Sequence, residues 1–233
     1  MKKVYKIVRS GSMVEVYAYE STPVTSLKDR ADKVCDGFAN RRRDNVRAMR
    51  AKFKRIVWAL LKNHKDKPCF ITLTYGSPVY NLKDAYVDFR LAMYRFAREY
   101  PGFEYVAVPE FQQNGRVHFH LLVWGIPLYH VLTERETRHL ADIWGNGFLD
   151  VLPTDGSNKL GSYMAKYMTK SAYDPRTHGQ KAYTRNKNQQ IEILQFWVRE
   201  INVDNLEFVW YSGEYSTRYL GRGALFLYES KNT

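Results

Sequence analysis

The chain has 233 residues, 45% hydrophobic and 26% charged, an ordinary globular balance with enough length to bury a full core. Its 36 Lys and Arg against 24 Asp and Glu leave a net charge of +12, which favours nucleic acid or an anionic membrane surface as partner. Two cysteines, Cys35 and Cys69, cannot build a disulfide framework, and no apolar run reaches the roughly 18–20 residues of a membrane span.

Residues 4–9 and 13–19 alternate apolar and polar around Ser10-Gly11-Ser12, the pattern of a β-hairpin. From Ser26 to His64 the pattern is helical, in two pieces, with Val46, Met49, Phe53 and Val57 on the core side. That stretch also holds Arg41, Arg42, Arg43, Arg47, Arg50, Lys52, Lys54 and Arg55 against the single acid Asp44, more cations than solubility requires. A phosphate-contacting face is the reading, with Arg41, Arg42, Arg43, Arg47 and Arg50 as its main residues. Pro68 opens a strand, Cys69–Tyr75, which Gly76-Ser-Pro78 closes. A helix over Leu82–Tyr100 ends at Pro101-Gly102. Strands over Glu104–Gln112 and Arg116–Trp124 follow, joined by Gln113-Asn114-Gly115.

Next come a helix near Thr133–Trp144, a short strand at Phe148–Val151, and a helix from Ser157 to Tyr173 that Asp174-Pro175 stops. Residues 174–190 read as an exposed polar loop, and Ile191–Tyr228 as a short helix mixed with aromatic-rich strands. In that last segment Arg218 and Arg222 interleave with Trp197, Trp210, Tyr211, Tyr215, Tyr219 and Tyr228. These residues fit a DNA grip and edge-strand packing equally well. The order β-α-β-β-α-β-α with hairpins predicts an α+β fold, an antiparallel sheet flanked by helices. The expectation is one domain, with a core at about 66–173, a basic extension at 1–65 and an aromatic-rich extension at 174–233.

The segment Arg116–Trp124 carries His118-Phe119-His120, and alternation along a strand turns both imidazoles to one face. The preceding turn decides which carboxylate joins them. A two-residue turn at Asn114-Gly115 would set Phe111 opposite His118 and turn Glu110 away. A three-residue loop, with Gly115 left-handed, pairs Gln112 with Arg116 and sets Glu110 opposite His118. Facing Cβ atoms are then about 4.5–5.5 Å apart, close enough to share a cation. Two imidazoles and a carboxylate suit Mg²⁺, Mn²⁺ or, less selectively, Zn²⁺, with Gln112 as reserve ligand. His64, His130, His139 and His178 have no such partners in the sequence.

In Tyr163-Met-Ala-Lys166-Tyr167-Met-Thr-Lys170 the tyrosines and the lysines each recur at i, i+4 on a helix. A phenol with a pKa near 10 is a weak nucleophile at neutral pH. A nearby ammonium favours the phenolate or steadies charge developing on a phosphate. Thr72, Thr74 and Arg116 are further candidates for DNA contact.

Together these segments resemble the HUH endonucleases, specifically the rolling-circle replication initiators of small plasmids and single-stranded DNA phages. Phe70-Ile-Thr-Leu-Thr-Tyr75 is similar to the first family motif, the run from Gly115 to Val123 to the second, and Tyr163–Lys170 to the third in its two-tyrosine form. The tyrosines follow the histidines, an order that separates initiators from relaxases, whose tyrosine comes first.

The resemblance implies a ferredoxin-like or RRM-like core, metal ligation by His118 and His120 with an acidic third ligand, and attack by Tyr163 or Tyr167. The product would be a 5′-phosphotyrosine and an extendable 3′-OH. Implied partners are single-stranded or hairpin origin DNA and a host polymerase, in the cytoplasm of a prokaryotic host, with no membrane. The chain lacks a Gly-x₄-Gly-Lys-Ser/Thr phosphate loop, so a helicase would come from the host. The rival readings are an HUH transposase or relaxase, and a non-catalytic single-strand binder that stacks bases on Phe70, Tyr75, Phe119 and C-terminal aromatics.

Overall fold

Ser10-Gly11-Ser12 does break the N-terminal alternation: strands β1 (Val4–Ser10) and β2 (Met13–Tyr19) pair antiparallel from Ser10↔Met13 out to Val4↔Tyr19. The computed structural model describes residues 4–19, 38–127, 132–217 and 221–230. After the hairpin come α1 (Phe38–Asn63), β3 (Cys69–Tyr75), α2 (Leu82–Glu99), β4 (Glu104–Phe111) and β5 (Val117–Trp124). Then follow α3 (Glu134–Trp144), β6 (Gly147–Pro153), α4 (Lys159–Ala172), β7 (Thr184–Arg185), β8 (Ile193–Val198), β9 (Leu206–Thr217) and β10 (Gly221–Ser230). The chain divides into two compact units, residues 1–63 with 191–233, and residues 64–190. The fold is α+β, two antiparallel five-stranded sheets with helices, as the element order predicts.

The first unit draws its sheet from both ends of the chain, in the order β8-β1-β2-β10-β9. β1 pairs with β8 and β2 with β10, so the two segments read as separate extensions join in one sheet. The short helix expected within Ile191–Tyr228 is absent among the described residues. Its apolar and aromatic residues extend instead, as β-branched and ring side chains do when strands are available to pair. On α1, Val46, Phe53, Ile56, Val57 and Leu60 are buried and Met49 is half-buried, which agrees with the predicted apolar stripe.

The cations of α1 divide between two environments. Arg47, Arg50 and Lys52 are exposed. Arg55 instead turns to the sheet, where its Nε meets the buried Glu15 carboxylate and its Nη2 donates to Tyr17 Oη at 2.7 Å. Lys54 lies with its ammonium 5.1 Å over the Trp58 ring. Arg55 and Lys54 therefore leave the predicted phosphate face, Arg55 because a buried carboxylate needs a counter-charge more than DNA needs another cation. The side chains of Arg41, Arg42 and Arg43 lie outside the described residues, as do those of Trp210, Tyr211, Tyr215 and Arg222 and the whole of Arg218 and Tyr219.

The second unit holds the sheet β6-β3-β5-β4-β7, antiparallel throughout. Strands β3 to β6 with α2 and α3 follow the split β-α-β-β-α-β connection of ferredoxin-like folds. Asn81 caps α2, its side chain accepting from Lys83 N at 2.9 Å. Thr133 and Glu136 form a capping box on α3, and Gly145 ends it. One face of the sheet buries Ile71, Leu73, Phe119, Leu121 and Val123 against Phe89, Phe96 and Trp144. The other face carries Glu110, His118 and His120 beside buried Val106, Val108 and Leu122, and α4 packs beside β4 on that side. Residues 174–190 are more ordered than a polar loop. β7 adds to the edge of β4, and Gln189 Nε2 donates to Tyr105 O at 3.2 Å. Polar side chains there satisfy edge backbone groups of β4, so their polarity does not signal a free loop.

Glu15 and Arg55 yield a stability test. Glu15→Ala leaves a half-buried guanidinium without its counter-charge and should cost about 3 kcal/mol, whereas Glu15→Leu with Arg55→Met should restore most of that loss. Urea midpoints measure both, and an unchanged midpoint in Glu15→Ala would contradict the pair's role.

Candidate functional site

The chemistry of the second unit starts at the turn between β4 and β5. Gln112 N donates to Arg116 O at 2.9 Å and Gly115 N to Gln112 O at 2.8 Å, with Gly115 at φ +83. This is the three-residue loop, and it sets Glu110 opposite His118 and Val108 opposite His120. On the far side of β5, Thr74 pairs with His118 and Thr72 with His120. Glu110, His118 and His120 thus share one face, each no more than 8% exposed.

The threonines anchor the rings. Thr72 Oγ1 lies 3.3 Å from His120 Nδ1, and Thr74 Oγ1 lies 3.4 Å from His118 Nδ1, where Gln112 Nε2 also approaches to 3.3 Å. Both rings thereby turn Nδ1, and not Nε2, to the threonines of β3. His120 Nε2 meets Glu110 Oε2 at 2.6 Å, and Lys170 Nζ closes on Glu110 Oε1. Burial opposes ionisation of Glu110, but hydrogen bonds from His120 and Lys170 and their charges outweigh it and hold the carboxyl at about 2. Burial, followed by the charge of His120, pushes His118 below the usual imidazole range.

Helix α4 brings the tyrosines over this face. Tyr163 and Tyr167 hydroxyls meet at 2.8 Å, and the Tyr167 ring stacks on His120 with centroids 3.9 Å apart. Phe70 supports the group from β3, edge-on to Tyr163 at 5.3 Å and stacked near His120 at 5.7 Å. Burial pushes the Tyr167 phenol up, and the hydrogen bond with Tyr163 and the Glu110 charge add to this. Tyr163 is 38% exposed, open to a substrate. Lys170 stands three residues after Tyr167 as the spacing requires, yet its ammonium serves Glu110 and not a phenol. Lys166 is exposed on the same helix.

A cavity of about 450 Å³ opens beside the group, lined by Glu110, Gln112, Gln113, Asn114 and Lys170. Sequence reasoning missed Arg176. Its guanidinium lies 3.8 Å from the Phe111 ring centroid, donates to Gly115 O at 3.3 Å and is held by Asp174. Asp174-Pro175-Arg176 reads in sequence only as a helix stop, and nothing local signals a contact with residue 115. Thr72 and Thr74, named as DNA contacts, serve the imidazoles, while Arg116 is half-buried at the loop. His64 is 3.2 Å from Glu104 and stacks on Trp124, and His139 faces Glu99, as ordinary histidines do. His130 lies outside the described residues.

Nitrogen and oxygen donors on one buried face suit a divalent ion in type, and Glu110 and His120 already converge. Among the described residues no three His, Cys, Asp or Glu side chains form a ready cage, because His118 is turned to Thr74 and Gln112. Its Nε2 has no hydrogen-bond partner among the described residues, an open donor beside the Glu110–His120 pair.

Residues 68–172 match a family model described as a replication-associated protein of the ORF2 type. That span runs from β3 to the end of α4 and holds both histidines, Glu110 and both tyrosines, and the match supports a rolling-circle replication initiator. No curated protein and no solved structure matches the chain.

Gly115 sets the register, so its backbone is the sensitive point. Gly115→Ala forces a Cβ into the left-handed region at a cost of about 1–2 kcal/mol. Calorimetric unfolding should show that loss, and an unchanged transition would mean the loop adopts another geometry.

Proposed function

We propose that this chain initiates rolling-circle replication by nicking and rejoining single-stranded origin DNA through a 5′-phosphotyrosine. The observation that supports it most is the meeting of the Tyr163 and Tyr167 hydroxyls at 2.8 Å above a buried face of two imidazoles and a carboxylate. A non-catalytic binder has no use for this arrangement. Of the sheet residues such a binder would stack bases on, Phe119 and Tyr75 are in the core and Phe70 lies beneath the tyrosines.

His118, His120 and Glu110 would hold a divalent cation, Mg²⁺ or Mn²⁺, that supplies charge stabilisation at a non-bridging oxygen of the scissile phosphate. One tyrosine Oη forms the bond to phosphorus as the bond from phosphorus to the 3′ oxygen breaks. The phenol proton leaves and the 3′ oxygen gains one, so a free 3′-OH remains for a polymerase to extend. The companion hydroxyl is placed to relay that proton and then to act as nucleophile on the regenerated site. The released 3′-OH attacks the first phosphotyrosine, the bond from phosphorus to the tyrosine oxygen breaks, the phenol regains the proton that the 3′-OH loses, and a circle closes. Lys170 keeps Glu110 ionised, and Lys166 faces solvent where the strand backbone would pass. Arg47 and Arg50 of the first unit are proposed phosphate contacts that add salt-dependent, sequence-independent affinity. Host helicase and polymerase would supply unwinding and synthesis in a prokaryotic cytoplasm. Among the described residues no helix is long and apolar enough to cross a membrane.

The test is nicking of labelled single-stranded oligonucleotides with Mg²⁺ or Mn²⁺. His118→Ala with His120→Ala should lower the rate by on the order of a hundredfold or more, while binding, which depends on phosphate contacts, changes by less than about threefold. Excess chelator should match the double variant. Undiminished nicking in either arm would contradict the metal role.

A further inference from the structure

The open flank of the histidine face belongs to β6, the edge strand beyond β3. Cross-strand register extends the face in rows: Glu110, His118, Thr74 and Phe148 in one, and Val108, His120, Thr72 and Asp150 in the next. Alternation along β6 therefore presents Phe148, Asp150 and Leu152 on the side of the histidines, while Leu149 is buried on the core side. Phe148 is 68% exposed and Leu152 50%. Asp150 is exposed too, with no hydrogen bond or ion pair among the described residues.

The strand that carries them is fixed. A Cβ on Gly147 would lie 2.1 Å from Gly76 N, so the two glycine backbones pack directly. Trp144 Nε1 donates to Thr74 O at 3.1 Å and ties α3 to the same corner. Protection of an edge strand accounts for a charge such as Asp150, but not for a large ring and a leucine on either side of it. Phe148 stands two strand spacings, about 10 Å, from His118. That distance lies within reach of nucleotides flanking a phosphate held at the tyrosines. A carboxylate in this place repels phosphate, so a base edge is what it can accept.

We propose that Phe148 and Asp150 form a base-reading subsite for the single strand that crosses this face, a claim that rests on the function proposed above. Phe148 stacks on one base, and Asp150 accepts a hydrogen bond from the amino group of cytosine, adenine or guanine. Thymine is disfavoured because its one edge N–H sits between two carbonyl oxygens that face the carboxylate. Leu152 extends the apolar surface under the next sugar or base. The subsite confers preference at one position beside the cleavage point, and it uses no residue of the catalytic group.

Fluorescence anisotropy with labelled oligo(dC) and oligo(dT) tests this on the full chain carrying Tyr163→Phe and Tyr167→Phe, which binds without cutting. Oligo(dC) should bind more tightly than oligo(dT). Phe148→Ala should weaken both by about tenfold, Phe148→Trp should not, and Asp150→Ala should erase the difference between the two. Both positions are exposed, so the variants keep the fold. Phe148→Ala binding both probes within about twofold of its parent would overturn the subsite. No preference for oligo(dC), or one that survives Asp150→Ala, would overturn the part given to Asp150. Nicking by chains with both tyrosines intact separates this claim from the function it rests on. Absent nicking with a Phe148 effect on binding defeats the endonuclease alone, and normal nicking with no Phe148 effect defeats the subsite alone.

Discussion

The pairing register of β4 and β5 is the constraint on which the site depends. Side chains alternate with a period of two, so a slip of one residue would send Glu110 to the core face and leave the imidazoles opposite apolar residues. Gly115 in its left-handed conformation closes the loop at the length that excludes this slip, and Arg176 braces the loop from outside. The register then propagates across the sheet. β3 brings threonines to the imidazoles, β6 brings Phe148 and Asp150 to the open flank, and α4 lies over the result with both phenols.

Charge in the site is arranged around one buried carboxylate. Glu110 meets His120 on one oxygen and Lys170 on the other, so a buried anion has partners on both sides and is ionised at any ordinary pH. Burial first, then the hydrogen bond with Tyr163, and last the same anion oppose ionisation of the Tyr167 phenol. A phenolate is therefore not the resting state of that residue. In the proposed reaction its activation has to come with the substrate or with a cation. A second ion pair, Glu15 with Arg55, serves the first unit, where it joins α1 to the sheet beside the Tyr17 hydroxyl.

What is legible in the sequence is what short-range chemistry decides. The strand alternation at His118 and His120, the loop at Gln113-Asn114-Gly115, the helix start near Thr133 and the stop at Pro101 all act within a few residues, and the structure has each of them. The pairing of Glu110 with His118 follows from one glycine. The strand order of the first unit is illegible for the opposite reason. β1 and β8 are close in space and nearly two hundred residues apart in sequence, and no local period encodes which strands will meet. The same holds for Arg55, whose partner Glu15 is 40 residues away. It holds again for Lys170, which reads as a partner of Tyr167 by helical spacing but finds Glu110 across the fold. Local spacing names the groups that carry chemistry, and long-range packing decides which of them touch.

The central claim is that Tyr163 and Tyr167 are the nucleophiles, and covalent capture tests it most directly. The chain is incubated with labelled single-stranded oligonucleotides and Mg²⁺ or Mn²⁺, digested with protease, and the DNA-linked peptide is identified by mass spectrometry. The account predicts a 5′-phosphate ester on Tyr163 or Tyr167, redistributed to the other when one is changed to Phe and lost when both are. Nicked DNA with no protein attached, or a linkage at any other residue, would contradict it.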